Sequence, residues 1–112
     1  MTENEIATII VDADVKIHKR LGPGLLRSVY ETTLAYELAK RGLQLRRQQS
    51  MPVVYEDVRM DVGSRADLIV EGKVIVEIKS LDAIAPVHRK QLLTYLRLTD
   101  KRLGLLITSM SS

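Results

Sequence analysis

The sequence predicts an α/β fold from three observations. Apolar residues recur at helical spacing through the first forty positions, two β-rich runs follow from Val58 to Ser80, and one further helix and one further strand close the chain. The element order read this way is α, α, β, β, β, α, β. At 112 residues with 46% hydrophobic content, the chain has the length and apolar content of one core, so residues 1–112 are read as a single domain.

Thr2 and Glu5 stand at capping-box spacing, and Ile6, Ile9, Ile10, Ala13, Ile17 and Leu21 then mark one helical stripe, which predicts an amphipathic helix over 3–20. Gly22-Pro23-Gly24 stops it, because glycine suits a left-handed C-cap and proline cannot continue the ladder. A second helix is expected over 25–41, ending at Gly42. From Leu43 to Tyr55 the looser alternation reads as one strand, with Pro52 marking a sheet edge or a bulge. Arg65–Val70 and Lys73–Ser80 flank Glu71-Gly72, which reads as a β-hairpin. After Pro86 a helix over 87–98 is expected to turn Leu92, Leu93 and Leu96 inward. Leu103–Thr108 is the last apolar strand, followed by the polar tail Ser109–Ser112.

Composition excludes several classes of chemistry. Without cysteine there are no disulfides, thiolate metal sites or cysteine nucleophiles, so ligands must be oxygen or nitrogen. A formal charge of +3 suits a polyanionic partner without demanding one. With no Phe or Trp and only Tyr30, Tyr36, Tyr55 and Tyr95, a base-stacking platform is poorly supported. No run approaches the roughly 18 apolar residues of a membrane helix, and the N-terminus carries acids where a signal peptide would be basic. The expectation is a soluble cytoplasmic protein that does not engage membranes.

Along the second hairpin strand Val74, Val76 and Ile78 share one face and Ile75, Glu77 and Lys79 the other. On the first strand Ala66, Leu68 and Val70 make the apolar face, opposite Arg65, Asp67 and Ile69. Matching the apolar faces sets Asp67 beside Glu77, which a two-residue turn would forbid, so a three-residue loop or a bulge is required. Two adjacent carboxylates repel unless a cation lies between them, and an all-oxygen set favours Mg²⁺ or Mn²⁺ over zinc. Such a metal polarises a scissile phosphate and acidifies an attacking water. The Ile78 carbonyl is a further candidate ligand, and Lys79 is placed to neutralise charge developing on phosphorus. The competing reading, a solvated strand face with weak cross-strand pairs, is weakened by the Val, Ile and Leu opposite, which make these strands central ones.

Leu21-Gly-Pro-Gly-Leu-Leu-Arg-Ser-Val-Tyr-Glu31 and Leu34-Ala-Tyr-Glu-Leu38, with Arg65-Ala-Asp67, Glu77-Ile-Lys79 and Gln91-Leu-Leu-Thr-Tyr95, resemble the GxxExxY family of the PD-(D/E)xK nuclease superfamily over nearly the whole chain. The resemblance implies a restriction-endonuclease-like αβββαβ core, a mixed central sheet flanked by helices, plus an extra N-terminal helix. It also implies metal-dependent phosphodiester hydrolysis, with DNA the expected substrate, Asp67 and Glu77 as metal ligands and Lys79 as the catalytic lysine. By the same resemblance Gln91 and Tyr95, one helical turn apart, support the site or contact nucleic acid. Small nucleases of this kind commonly form homodimers, which an open edge near Pro52 would permit.

The sequence departs from the family motif at Arg27, where the glutamate belongs. A cation there either repels the metal or contacts phosphate, while Glu31, one turn on, either substitutes for the missing acid or pairs with Arg27. The alternative to a nuclease is therefore a catalytically degenerate module that keeps the fold and binds nucleic acid or protein. His18 and His88 lack a partner at ligand spacing and read as structural or surface residues. Lys19, Arg20, Arg46, Arg47, Arg89 and Lys90 are candidate DNA-backbone contacts or simply a solvated face.

Overall fold

Thr2 opens helix α1 (Glu3–Leu21) with a complete capping box: its hydroxyl accepts the Glu5 N–H and the Glu5 carboxylate accepts its own. In this computed structural model, which describes residues 1–22, 24–60, 65–80 and 83–109, α1 buries Ile6, Ile10, Ala13 and Ile17, with Ile9 packed beside them. Leu21 departs from the expected stripe. It is half exposed, at the helix end where Gly22 (φ 74°) turns the chain away and donates to the His18 carbonyl. Pro23, expected in the helix stop, and 110–112 of the expected tail lie outside the described residues.

Helix α2 (Arg27–Lys40) starts two residues later than the periodicity indicates and packs Tyr30, Leu34, Ala35 and Leu38 into the core shared with α1. The Tyr30 hydroxyl donates to Asp14 of α1 while its ring lies 5.3 Å from the His18 ring, so the two helices are tied together below the sheet. Burial and the Asp14 carboxylate push the Tyr30 phenol above its usual range.

The segment expected as one strand over 43–55 is two. Strand β1 (Leu45–Ser50) joins the main sheet, whereas β2 (Val53–Tyr55) pairs antiparallel with β3 (Val58–Met60) in a separate two-stranded sheet. Pro52 sits between them, where it cannot supply a ladder N–H. Glu56 and Asp57, both at positive φ (48° and 66°), make the tight turn, a conformation that apolar periodicity does not reveal.

The main sheet runs β1, β4 (Arg65–Val70), β5 (Val74–Lys79), β6 (Leu103–Thr108), with the first two pairings antiparallel and β5–β6 parallel through helix α3 (Pro86–Leu98). With α2 in front, this is the expected αβββαβ order in a mixed sheet flanked by helices, with α1 added at the N-terminus and the β2–β3 hairpin inserted. Five consecutive residues of β4, Ala66 to Val70, are buried, because helices cover both faces. Leu68, Val70, Val74, Val76 and Ile78 pack under α1 and α2; Ile69 and Ile75 pack with Leu92 and Leu96 of α3.

Two assignments of facing residues change. Leu93 is half exposed, since α3 buries a single stripe through Leu92 and Leu96. Ala66 joins the α3-side cluster instead of Leu68 and Val70. The β1–β4 ladder pairs Arg47 with Leu68 and Gln49 with Ala66 but skips Gln48 and Asp67, and Gln48 adopts φ 49°. Alternation is thus interrupted at Asp67, with one residue unpaired on each strand and the register unchanged on either side.

Candidate active site

That interruption frees Asp67 from regular pairing at the centre of the sheet. Strands β4 and β5 are joined by the three residues Glu71, Gly72 and Lys73, so Leu68 faces Val76 and Val70 faces Val74, the register that matching apolar faces require. One step further along, the Asp67 carboxylate accepts the Ile78 N–H at 2.7 Å and lies beside Glu77. Burial, then the neighbouring Asp67, raise the Glu77 carboxyl from its ordinary 4.5 to about 7; Lys79 and Arg27 offset this only in part. Glu77 therefore holds its proton to higher pH than an ordinary carboxyl. Its Oε1 is buried and has no hydrogen-bond partner.

Arg27, in the first turn of α2, reaches across to the same point. Its Nε donates to the Ile78 carbonyl at 2.9 Å, and its Nη2 bridges the Asp67 carboxylate and Glu31 Oε1, the latter at 3.2 Å. Glu31, buried on α2, also accepts from Gln48 Nε2 at 2.8 Å and from Arg47 at 3.1 Å. Gln48 Nε2 is in addition 3.2 Å from Asp67 Oδ1, so the irregular backbone at Gln48 serves to turn its amide between the two acids.

On the α3 side a polar cleft of about 150 Å³ is lined by Glu77, Lys79, Arg65, His88, Gln91 and Tyr95. This is well below the roughly 300–1,000 Å³ of small-molecule pockets, and its lining sets two cationic side chains, an amide and a phenol beside the Glu77 carboxyl. His88 Nδ1 also accepts the Ala85 N–H, which fixes the start of α3 and the ring beside the cleft.

Among the described residues no three His, Cys, Asp or Glu side chains gather into a ready-made metal cage. The donors at hand are two carboxylates and one main-chain carbonyl. They are hard oxygen ligands of the kind Mg²⁺ and Mn²⁺ take, and the partnerless Glu77 Oε1 is a donor such an ion would satisfy. The set fits a divalent ion, although the Asp67 and Ile78 oxygens are at present held by Arg27.

Asp67, Glu77, Ile78, Arg27 and Glu31 thus converge, while Lys79, Gln91 and Tyr95 line the cleft that Glu77 shares. Of the two options for Glu31, the i,i+4 pair with Arg27 is the one formed. Arg47, a candidate backbone contact, is tied to Glu31 instead. Sequence reasoning missed Gln48 and the place of His88 in the cleft. It placed Arg65 on the Asp67 face without giving it a role, and the alternation of residues 65 and 67 was the available clue.

A family model described as the PD-(D/E)XK nuclease superfamily matches residues 4–111, and the chain belongs to that superfamily. No curated protein and no solved structure matches it. Among the described residues no helix is long and apolar enough to cross a membrane.

Proposed function

We propose that this member of the PD-(D/E)XK nuclease superfamily is, as a single domain and of the GxxExxY type, a divalent-metal-dependent nuclease that hydrolyses phosphodiester bonds in DNA. The observation that carries this reading is Glu77: a partly buried carboxyl beside Asp67, with its Oε1 enclosed and without a hydrogen-bond partner, at the wall of a cleft that also holds Lys79. Asp67, Glu77 and the Ile78 carbonyl would hold Mg²⁺ or Mn²⁺. Such an ion, when bound, supplies Lewis-acid polarisation of the phosphate and a lowered pKa of water.

The chain's own residues account for the rest. Asp67 is oriented by the Ile78 N–H. Glu77 must give up its proton to become a ligand, so metal affinity rises with pH through about 7. Lys79 and Arg65 bring positive charge to a phosphate in the cleft and stabilise the charge that develops on its oxygens, while Gln91 and Tyr95 orient it from α3. Supercoiled and linear DNA incubated with Mg²⁺ or Mn²⁺ test the proposal. Cleavage should fall by about 10²-fold or more in Glu77→Ala and Lys79→Ala; cleavage that survives both substitutions removes this site.

A second reading, a catalytically degenerate module that binds nucleic acid or protein, is favoured by the Arg27 contacts to Asp67 and Ile78. It predicts DNA binding indifferent to EDTA and no turnover. Strand β1 lies at an edge of the main sheet, and a homodimer joined there would offer two such sites to a duplex; sedimentation of the full chain, alone and on a short duplex, tests that assembly.

A further inference from the structure

We propose that Arg27 is a resident cation standing in the metal's place, so that a divalent ion must displace it from Asp67 and from the Ile78 carbonyl in order to bind. This rests on the metal-site reading above and deepens it: the affinity of the site is set by competition with a side chain of the same molecule. The guanidinium makes a planar fork, and here it meets three oxygen-bearing groups at once, Asp67, the Ile78 carbonyl at 2.9 Å and Glu31 at 3.2 Å. Two of these three are the oxygens offered to a metal, and Arg27 neutralises the charge that would otherwise draw the ion in.

The contact is built to open. Asp67 is held from the other side by the Ile78 N–H and stays in place whether or not Arg27 is present. The Arg27 side chain is 38% exposed and is the first residue of α2, so it can swing to solvent, or onto a phosphate, without disturbing a helical hydrogen bond. Glu31 is anchored independently by Arg47 and Gln48 and remains ordered when Arg27 leaves. Without metal, Arg27 holds the α2 end of the site against β5; with metal, the same work passes to the ion.

Titration of Mn²⁺ into the full chain by calorimetry, for the natural protein, Arg27→Met and Arg27→Lys at one pH, tests this. Met keeps the length and removes the charge, and should bind Mn²⁺ about ten- to a hundredfold more tightly, the range of hydrogen bonds to charged groups. Lys keeps the charge but cannot span Asp67 and Ile78 together, and should fall several-fold above the natural chain. In EDTA Arg27→Met should melt lower than the natural chain and gain more from Mn²⁺ in its melting temperature. Equal or weaker Mn²⁺ binding in Arg27→Met overturns the proposal, as does failure of Arg27→Lys to bind more tightly should the Met variant not fold. Tighter Mn²⁺ binding by the variants without DNA cleavage by the natural chain supports the role of Arg27 and sinks the nuclease reading instead.

Discussion

Replacing Glu77 with Gln should stabilise the metal-free protein at pH 8 and leave it nearly unchanged at pH 5. In the fold Glu77 keeps its proton to about pH 7, because burial and Asp67 disfavour its charge, whereas in the unfolded chain it ionises near its ordinary 4.5. The folded state therefore binds the extra proton between these values. The stability this contributes is fully present below about 4.5 and is lost as pH rises through about 7. At about 1.4 kcal/mol per pH unit the interval corresponds to about 3 kcal/mol, which solvent screening of an incompletely enclosed side chain reduces to about 2 kcal/mol. Gln has nearly the same shape and cannot ionise, so it removes this slope. Urea unfolding in EDTA at pH 5, 6, 7 and 8, for the natural chain and Glu77→Gln, measures the difference. Parallel stability profiles would refute the argument, since they would mean that Glu77 ionises in the fold as it does in the open chain. Saturating Mn²⁺ should reverse the order at pH 8, where the natural carboxylate gains a ligand partner and Gln does not.

Gly104→Ala should destabilise the protein by about 1–3 kcal/mol in chemical unfolding, because the new methyl would lie 2.9 Å from the Leu92 side chain, where α3 rests on β6. Tyr30→Phe should cost about 1–2 kcal/mol in chemical unfolding by removing the hydroxyl that donates to Asp14. Gln91→Ala and Tyr95→Phe should each lower DNA cleavage by about tenfold, less than Glu77→Ala or Lys79→Ala, in the same plasmid assay. An equal loss from all four would mean that α3 carries the chemistry and does not merely orient the phosphate.

Local chemistry in the sequence determined much of the fold. The Thr2–Glu5 box, the Ile6–Ile17 stripe and the switch to period-two runs fix where helices and strands form, because each depends on neighbours within one or two turns. The three-residue connection between β4 and β5 was legible for the same reason: only one register buries Leu68, Val70, Val74 and Val76 together. The β2–β3 turn was not, since Glu56 and Asp57 carry no glycine to betray their positive φ.

The site divides along the same line. Alternation on two strands brought Asp67, Glu77 and Lys79 to notice, but whether a cation lies between the acids depends on what reaches them from elsewhere in the chain. Arg27 is 51 residues from the Ile78 carbonyl it bonds, and in the sequence it reads equally as a repelled neighbour, a phosphate contact or half of an i,i+4 pair with Glu31. The strands by themselves specified the acids and the lysine. The packing of α2 against β5, set by Tyr30 and Leu34 in a core shared with α1, decided that Asp67 holds an arginine.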